Sequence, residues 1–361
     1  MRLLIAGGGT GGHLFPALAV ARALREEDPE SQILFVGTEH GIEVRVIPET
    51  EFSIRYIAAR GMKRTGMINL LKGFLELPLG VIQSFFILWD FKPHVVLGVG
   101  GYASGPTLIA AALMRIPTAI QEQNSVMGTT NRVLSRFVDR IFVSWERIDP
   151  RPPPEKTILT GNPIRGDLLE ESPENGSHRD RLNILIFGGS RGARSINRAM
   201  AGNLEHLAPF AEKVAILHQS GLGAAQEMKA AYGEAGIQAE VREFIHEMGP
   251  AYQWADLVVC RGGASSLAEI TALGKPAIII PYPYAIGDHQ AGNASVLEDG
   301  GAVRVVRDDK LANGALAGEI RNLMEDPDQL IAMGRNSLKL GRPDAARTIA
   351  LDLLKTGRSR A

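Results

Sequence analysis

The sequence has little of several features that define whole classes of protein. One cysteine in 361 residues excludes an internal disulfide framework and is typical of a reducing cytosol. That residue, Cys260, ends the apolar run 257–259, so we expect a buried structural thiol rather than a nucleophile. A net charge of −1 lacks the basic excess of nucleic-acid-binding proteins. No nucleic-acid partner is therefore expected.

Long apolar runs and metal-binding clusters are also missing. The longest charge-free apolar stretch, 77–89, contains a proline and a glycine and is shorter than the roughly 20 residues of a membrane-spanning helix. No histidine or cysteine cluster has zinc spacing. Asp326-Pro327-Asp328 has a spacing that can hold a nucleotide-bound cation, but it lies between helical segments, far from any predicted strand end. We therefore expect a helix-connecting turn there, and neither a metal nor a cofactor.

Glycine, by contrast, is abundant, with 40 residues, and three glycine-rich segments each follow a short apolar strand. They span 7–12, 98–101 and 188–192. Glycine lets the backbone approach a ligand closely, and the helix start behind it offers unpaired N–H groups and a partial positive charge. Three such turns in both halves of the chain indicate two nucleotide-type folds that face each other over a phosphorylated substrate.

Alternating strands and helices predict an α/β architecture with parallel sheets. Strands are expected near 2–6, 32–36, 94–97, 117–120, 140–143 and 157–159, and again near 184–187, 214–217, 257–260, 277–280 and 302–306. A polar, proline-containing stretch separates the two series. We therefore predict two Rossmann-like domains, 1–162 and 163–342, that face a cleft formed by the carboxyl ends of their strands.

The first glycine segment also matches the Gly-x-Gly-x-x-Gly fingerprint of dinucleotide-binding proteins. A nicotinamide site needs an acidic residue at the end of the second strand, where it binds the ribose. Here that strand ends in Gly37-Thr38, and Glu39 comes late. A dehydrogenase is therefore disfavoured, and glycines that merely turn the chain are the structural alternative.

His13 directly follows the first glycine segment, at the first turn of the expected helix. Histidine titrates near neutrality and therefore suits proton exchange with a substrate. The positive end of the helix dipole favours the neutral form, which can act as a base. We predict that His13 faces the substrate as general base; a purely structural histidine is the alternative.

A second polar cluster of the first half comprises Gly100-Gly101-Tyr102, Glu122 and Asn124, which follow two consecutive strands. Glu122 is another candidate proton acceptor, and Asn124 can both donate and accept hydrogen bonds. Capping of loop ends is the alternative role for these side chains. Tyr102 and Glu122 join His13 as candidate catalytic residues.

In the second half, small residues at 264–266 follow a strand and open a helix that contains Glu269. Backbone amides at 264–267 suit a diphosphate, and a carboxylate one turn further on can bind two ribose hydroxyls. The side-chain amides of 288–293 suit the hydroxyls of a sugar.

Residues 60–92 carry a further signal, because apolar and aromatic side chains recur there at helical spacing. Basic residues outnumber acidic ones in this segment: Arg60, Lys63, Arg64, Lys72 and Lys92 against Glu76 and Asp90. Much of this face must be ordinary core. The mixture of aromatic and basic residues also resembles a patch that rests on an anionic membrane.

With these motifs assembled, the chain closely resembles the bacterial glycosyltransferases that complete lipid II in peptidoglycan synthesis, in glycosyltransferase family 28. The matching motifs run through nearly the whole chain: Gly-Gly-Thr-Gly-Gly-His at 8–13, Gly-Gly-Tyr-x-Ser-Gly-Pro at 100–106, Glu-Gln-Asn at 122–124, Gly-Asn-Pro-Ile-Arg at 161–165, Gly-Gly-Ser-x-Gly-Ala at 188–193, Glu-Phe-Ile at 243–245 and Asp-His-Gln at 288–290. The chain departs from the family at Arg191, usually glutamine, at Gln121, often histidine, and at Gly262, usually serine or alanine. Gln121 argues against a mechanism that needs a histidine at that position.

The resemblance implies a GT-B glycosyltransferase fold and an inverting reaction. N-acetylglucosamine would move from UDP-GlcNAc to the muramyl 4-hydroxyl of undecaprenyl-pyrophosphoryl-MurNAc-pentapeptide, converting lipid I to lipid II. UDP-GlcNAc would bind mainly to the second domain and the lipid to the first, on which the last helix, 343–361, would pack. The segment 60–92 would dock on the anionic cytoplasmic face of the inner membrane, where cell-wall and division proteins are candidate partners.

The resemblance also implies the roles of individual residues. UDP-GlcNAc would contact Thr10, Gly11, Gly12, Asn124, Arg165, Ser190, Ile245, Ala264, Ser265, Ser266, Leu267, Ala268, Glu269 and Gln290. Among these, Ile245 would meet the uracil through its backbone, Glu269 the ribose, and Ser190 with 264–268 the diphosphate, while Gln290 and Asn124 would contact the amino sugar. The pyrophosphate of the acceptor would lie on Gly11, Gly12, Gly100, Gly101 and Tyr102.

Two other classes stay open. A UDP-N-acetylglucosamine 2-epimerase shares the fold but needs several carboxylates for proton shuttling. This sequence offers few candidate carboxylates for that role, namely Glu122 and Glu269. A non-catalytic sugar-nucleotide-binding or division scaffold would not need His13, Tyr102 and Glu122 around one cavity.

Overall fold

The structure is a computed structural model that describes residues 1–59, 67–169, 181–189 and 192–358, without the side chains of 67–75. Its contacts divide the chain into two compact units. Unit 1 comprises Met1–Arg165 and Pro343–Ala361, and unit 2 comprises Gly166–Arg342.

Each unit is built on a parallel sheet. In unit 1 the strands are β1 (Arg2–Ala6), β2 (Gln32–Gly37), β3 (Ser53–Tyr56), β4 (Val95–Gly98), β5 (Thr118–Glu122), β6 (Arg140–Val143) and β7 (Thr157–Leu159), in the order β3-β2-β1-β4-β5-β6-β7. In unit 2 they are β8 (Leu182–Phe187), β9 (Val214–Gln219), β10 (Gln238–Arg242), β11 (Leu257–Cys260), β12 (Ala277–Ile279) and β13 (Val303–Val305), in the order β10-β9-β8-β11-β12-β13.

Helices connect these strands. They are α1 (Gly11–Glu27), α2 (Glu43–Val46), α3 (Met67–Phe91), α4 (Ser104–Leu113), α5 (Thr129–Leu134), α6 (Arg194–Ala201), α7 (Ala225–Glu234), α8 (Met248–Trp254), α9 (Ala264–Ala272), α10 (His289–Asp299), α11 (Ala315–Glu325), α12 (Pro327–Leu340) and α13 (Ala345–Arg358). No helix of the described residues is long and apolar enough to cross a membrane.

The strand order reverses direction once in each sheet, beside β1 in unit 1 and beside β8 in unit 2. At such a switch point the loops that leave neighbouring strands diverge, and a ligand-binding crevice opens at the carboxyl ends of the strands. The three glycine segments follow β1, β4 and β8, and a fourth, Arg261-Gly262-Gly263, follows β11. Each switch point is therefore flanked by two glycine loops.

Side chains on opposite faces of the central strands build the cores. In β1, Leu3 and Ile5 pack into one cluster, together with Ile349 and Leu353 of α13, whereas Leu4 packs into the cluster on the other face. This alternation is expected of a strand buried on both faces. The last helix is thus part of the core of unit 1.

The predicted fold class, two parallel-sheet α/β domains, is confirmed. Two strands were missed, β3 and β10. Both lie at a sheet edge and alternate exposed with less exposed residues, so they lack the apolar runs that mark the central strands. Cys260 is buried as predicted, and Asp326 caps α12 by accepting a hydrogen bond from the Gln329 N–H, which confirms the helix-connecting turn.

His218 on β9 belongs to a buried hydrogen-bond network within unit 2. Its Nδ1 lies 2.9 Å from the Tyr232 hydroxyl, and its Nε2 lies 3.2 Å from Asn197 Oδ1. Because the amide oxygen can only accept, the ring donates through Nε2, and Nδ1 accepts from the tyrosine. Desolvation by burial lowers the pKa of His218 from 6.5 to about 4.

This buried histidine predicts an acid-sensitive stability. The pKa of His218 is lower in the folded state, so its contribution is fully present above pH 6.5 and is lost as the pH falls toward 4. The pKa difference corresponds to about 3 kcal/mol. We expect urea unfolding of the wild type to lose about that much more free energy between pH 7 and pH 4 than unfolding of His218→Gln. Parallel pH profiles for the two proteins would contradict the prediction.

Candidate functional site

The two glycine loops of unit 1 touch through their backbones. The Gly8 N–H donates to the Gly100 carbonyl at 3.4 Å, and a Cβ on Gly101 would lie 2.5 Å from the Gly8 carbonyl oxygen. Gly100 and Gly101 also have positive φ values of 91° and 81°, which residues with a Cβ atom rarely adopt. Glycine is therefore required here by both space and conformation, and it fixes the two loops against each other.

The start of α1 presents open backbone donors. Thr10, the N-cap residue, is extended, but its side chain makes no capping hydrogen bond. Among the described residues, the N–H groups of Thr10, Gly11 and Gly12 have no hydrogen-bond partner. Such amides, with the positive end of the helix dipole behind them, form a site for an anion.

His13 lies one residue further on and is oriented by Gln123, which is 2% exposed. The Gln123 Nε2 group donates to the Val99 carbonyl at 2.9 Å, and this fixes Oε1 as the atom that faces His13 Nδ1 at 3.0 Å. Because that amide oxygen can only accept, Nδ1 carries the proton. In the neutral ring the lone pair is then on Nε2, the form that a general base needs.

Glu122 is held by its own loop. It is 1% exposed, and its carboxylate accepts hydrogen bonds from the backbone N–H groups of Asn124 and Gly128, both at 3.0 Å, and from the Asn131 side chain at 2.9 Å. These contacts favour the capping interpretation of Glu122 over proton transfer. Tyr102 differs, because it is 55% exposed beside the second glycine loop.

In unit 2, the start of α9 repeats the arrangement at α1. Gly263 is an extended N-cap that offers no side chain, and the N–H groups of Ala264, Ser265 and Ser266 lack a hydrogen-bond partner within the described part of the chain. The Ser265 hydroxyl is buried and also has no partner there. Leu267, by contrast, already donates its N–H to Gly263. The open amides at the start of α9 are therefore those of 264–266, one fewer than the 264–267 expected from the sequence.

Glu269 lies on the same helix, one turn beyond these amides. Its Oε2 accepts a hydrogen bond from the Tyr252 hydroxyl at 2.9 Å, and this contact orients the half-buried carboxylate. Burial, with a smaller contribution from the negative charge of Glu269, raises the pKa of the nearby Cys260 thiol. Cys260 is thus kept in its inert, protonated form.

Gln219, at the end of β9, joins two segments that the sequence assigns to nucleotide binding. Its Oε1 accepts from the Ile245 N–H at 2.8 Å, and its Nε2 donates to the Gly189 carbonyl at 2.9 Å. The Ile245 N–H is therefore already used within the protein. The expected backbone contact of Ile245 with a base would have to be made by its carbonyl group. Ser190 lies outside the described residues.

Gln290 lies against the fourth glycine loop. A Cβ on Gly262 would come within 2.6 Å of the Gln290 carbonyl oxygen, which explains why glycine stands there. Gln290 also lines a cavity of about 800 Å³, together with Gly188 and Gly192 of the third glycine loop. The cavity therefore adjoins both glycine loops of unit 2.

The predicted residues thus divide between the units. Thr10, Gly11, Gly12, His13, Tyr102, Glu122, Asn124 and Arg165 belong to unit 1, and Ile245, the 264–268 segment, Glu269 and Gln290 belong to unit 2. Groups of three or more potential metal ligands are absent from the described residues.

Substitution of the two buried glutamines should affect two different properties: turnover for Gln123, and for Gln219 the binding of UDP, the nucleotide that the resemblance implies. In Gln123→Met the His13 ring loses its acceptor, so we expect turnover to fall about tenfold or more while UDP binding stays unchanged. In Gln219→Met the Ile245 and Gly189 backbones lose their shared partner, so we expect UDP binding to weaken about tenfold. Calorimetric titration with UDP measures the second effect and steady-state turnover the first. A loss of UDP affinity in Gln123→Met would contradict the assignment of Gln123 to the orientation of His13.

Comparison with known proteins identifies the family. Residues 3–143 match the glycosyltransferase family 28 N-terminal domain, and residues 183–349 match the family 28 C-terminal domain. The chain is 47% identical over 363 residues to the UDP-N-acetylglucosamine–N-acetylmuramyl-(pentapeptide) pyrophosphoryl-undecaprenol N-acetylglucosamine transferase of Geobacter sulfurreducens, with 99% of both chains covered.

Solved structures agree with these matches. MurG of Acinetobacter baumannii has a TM-score of 0.80 and 28% identity, covering 98% of this chain and 99% of its own. The UDP-GlcNAc 2-epimerase of Neisseria meningitidis has a TM-score of 0.66 at 18% identity, with coverage of 98% and 100%; this likeness shows the fold alone. The chain therefore belongs to glycosyltransferase family 28.

Proposed function

We propose that this protein transfers N-acetylglucosamine from UDP-GlcNAc to the muramyl 4-hydroxyl of undecaprenyl-pyrophosphoryl-MurNAc-pentapeptide. The main support is the relative of that name, which is 47% identical across nearly the full length of both chains. Other relatives with the same name are 45% and 42% identical over 97% of this chain. UDP-GlcNAc binds mainly to unit 2, and the pyrophosphate of the lipid binds to unit 1.

Open backbone amides support this division of the substrates. The leaving group is a diphosphate, and the N–H groups of 264–266 at the start of α9 suit it. Glu269, held by Tyr252, binds the ribose, and Gln290 binds the sugar. The N–H groups of 10–12, with Gly100, Gly101 and Tyr102 of the second loop, hold the pyrophosphate of the acceptor.

The reaction is a single displacement with inversion at the anomeric carbon. The Nε2 of His13 removes the proton of the muramyl 4-hydroxyl while the oxygen forms its bond to that carbon. The bond from the anomeric carbon to the phosphate oxygen breaks, and UDP carries the electron pair away. Fixed amides and the α9 dipole stabilise the charge that develops on the diphosphate. Glu122 acts by holding the loop of Asn124.

An assay for UDP release separates the three candidate classes. With UDP-GlcNAc, we expect UDP only when a lipid I analogue is present, because the transfer needs an acceptor hydroxyl. Appearance of UDP-N-acetylmannosamine would instead indicate an epimerase, and no turnover would indicate a binding scaffold.

His13→Ala should lower turnover about a hundredfold or more and retain UDP binding, and near-normal turnover would reject His13 as the base.

An exposed apolar face on α3 suits a lipid surface. The side chains that form it are Leu77, Leu79, Ile82, Phe85, Phe86 and Trp89, each at least 41% exposed. Phe85 stacks on Trp89, so the aromatic rings form one continuous surface. Lys92 is exposed at the end of this helix; Arg60, Lys63 and Arg64 lie outside the described residues, as does the side chain of Lys72. We infer that unit 1 docks on the anionic cytoplasmic membrane surface through this face.

Substitutions on this face should weaken membrane binding. In the double variant Phe86→Ser and Trp89→Ser, the loss of two large apolar side chains should lower partitioning to anionic vesicles at least about tenfold. The matched control changes two comparably exposed apolar residues of α12, Ile331→Ser and Leu338→Ser. Vesicle co-sedimentation measures both. Equal binding by the two double variants would reject the α3 face.

A further inference from the structure

Glu43 is a buried carboxylate of unit 1 to which the reaction above assigns no role. It is 1% exposed, at the first residue of α2. Its Oε2 accepts the Gly9 N–H at 2.6 Å, and its Oε1 accepts the Thr38 N–H at 3.0 Å and the Thr38 hydroxyl at 3.2 Å. Glu43 therefore joins the first glycine loop to the loop that follows β2.

Three glycines make room for this side chain. A Cβ on Gly8 would lie 2.5 Å from the Oε2 of Glu43, and a Cβ on Gly37 would lie 2.6 Å from its Cγ. A Cβ on Gly41 would also collide with the carboxylate. The glycines thus come from the first glycine loop, from the end of β2 and from the approach to α2. Any larger residue at these positions would displace the carboxylate.

The hydrogen bond to Gly9 completes a division among the amides of the loop. The Gly7 N–H donates to Val36 and the Gly8 N–H to Gly100, so Gly9 is the third successive amide that is paired within the protein. The next three, from Thr10 to Gly12, have no partner among the residues that the structure describes. The hydrogen bonds of 7–9 therefore hold the loop in place, and 10–12 present the backbone donors.

We propose that Glu43 is a positioning residue that sets the first glycine loop so that the amides of 10–12 converge on the pyrophosphate of the acceptor. This inference rests on the proposed function, because that function places the pyrophosphate at the loop. Glu43 acts through Gly9 and does not touch the substrate. A negative side chain behind an anion site weakens phosphate binding by repulsion, so its benefit must come from fixing the loop.

A carboxylate fits this position better than an amide does. Both oxygens of Glu43 accept hydrogen bonds, whereas a glutamine has one accepting oxygen and one donating nitrogen. In Glu43→Gln, an N–H group would therefore face either the Gly9 N–H or the Thr38 N–H. The volume is unchanged, so this variant replaces one hydrogen bond by a contact between two donors without opening a cavity.

The test compares Glu43→Gln with the wild type by kinetics and by hydrogen exchange. With a soluble short-chain analogue of lipid I, we expect the KM for the acceptor to rise about tenfold, with the KM for UDP-GlcNAc unchanged. Mass-spectrometric exchange should show faster amide exchange in the peptide 7–13. Wild-type values of the acceptor KM and of this exchange rate would overturn the proposal.

Two further variants keep the result interpretable. Asp139→Asn is the matched control, because Asp139 accepts from the Thr118 N–H and hydroxyl in the same way, but at the opposite end of the sheet; it should leave the acceptor KM unchanged. Thr38→Val removes one donor to Glu43 and provides a milder variant if Glu43→Gln does not fold. It should raise the acceptor KM by a smaller factor, and an unchanged KM would overturn the proposal.

If the wild type did not use the acceptor, the proposed function would fail, and exchange in 7–13 would still decide whether Glu43 sets the loop.

Discussion

The close approach of two backbones beside β1 is the constraint on which unit 1 depends. The loops after β1 and β4 meet at Gly8 and Gly101 without any room for side chains. That contact fixes the end of the first loop, and with it the start of α1. Because the Thr10 side chain does not cap α1, the N–H groups of 10–12 stay open in the part of the chain that the structure describes. Backbone donors grouped in this way suit a phosphate.

Buried polar side chains support each loop from behind. Gln123 orients His13, Gln219 joins Ile245 to the third glycine loop, and Glu43 holds Gly9. None of the three is assigned a substrate contact here. Each satisfies backbone or ring groups that would otherwise be free to rotate or move. The groups that face the ligands are therefore preorganised, which is the condition for electrostatic stabilisation of developing charge.

The sequence was sufficient to predict the fold class and the family. Apolar runs such as 184–187 predicted the central strands because those strands are buried on both faces, and the glycine segments marked the carboxyl ends of strands. The edge strands β3 and β10 lacked this pattern, since half of their residues face solvent. Gln123 and Gln219 could not be predicted, because their roles depend on pairs 110 and 26 residues apart. The role of Glu122 was ambiguous until its donors were visible, which are the backbone N–H groups of Asn124 and Gly128 and the side chain of Asn131 on α5.

We propose that each unit binds one phosphorylated substrate at its own pair of glycine loops. The most direct measurement is the amide NMR spectrum of the isotope-labelled protein during separate titrations with UDP and with a short-chain prenyl pyrophosphate. We expect UDP to perturb amides of unit 2 around 188–192, 245 and 264–269. The prenyl pyrophosphate should perturb 10–13 and 100–102 in unit 1. Perturbation of one common set of amides by both ligands would contradict this division of the substrates between the units.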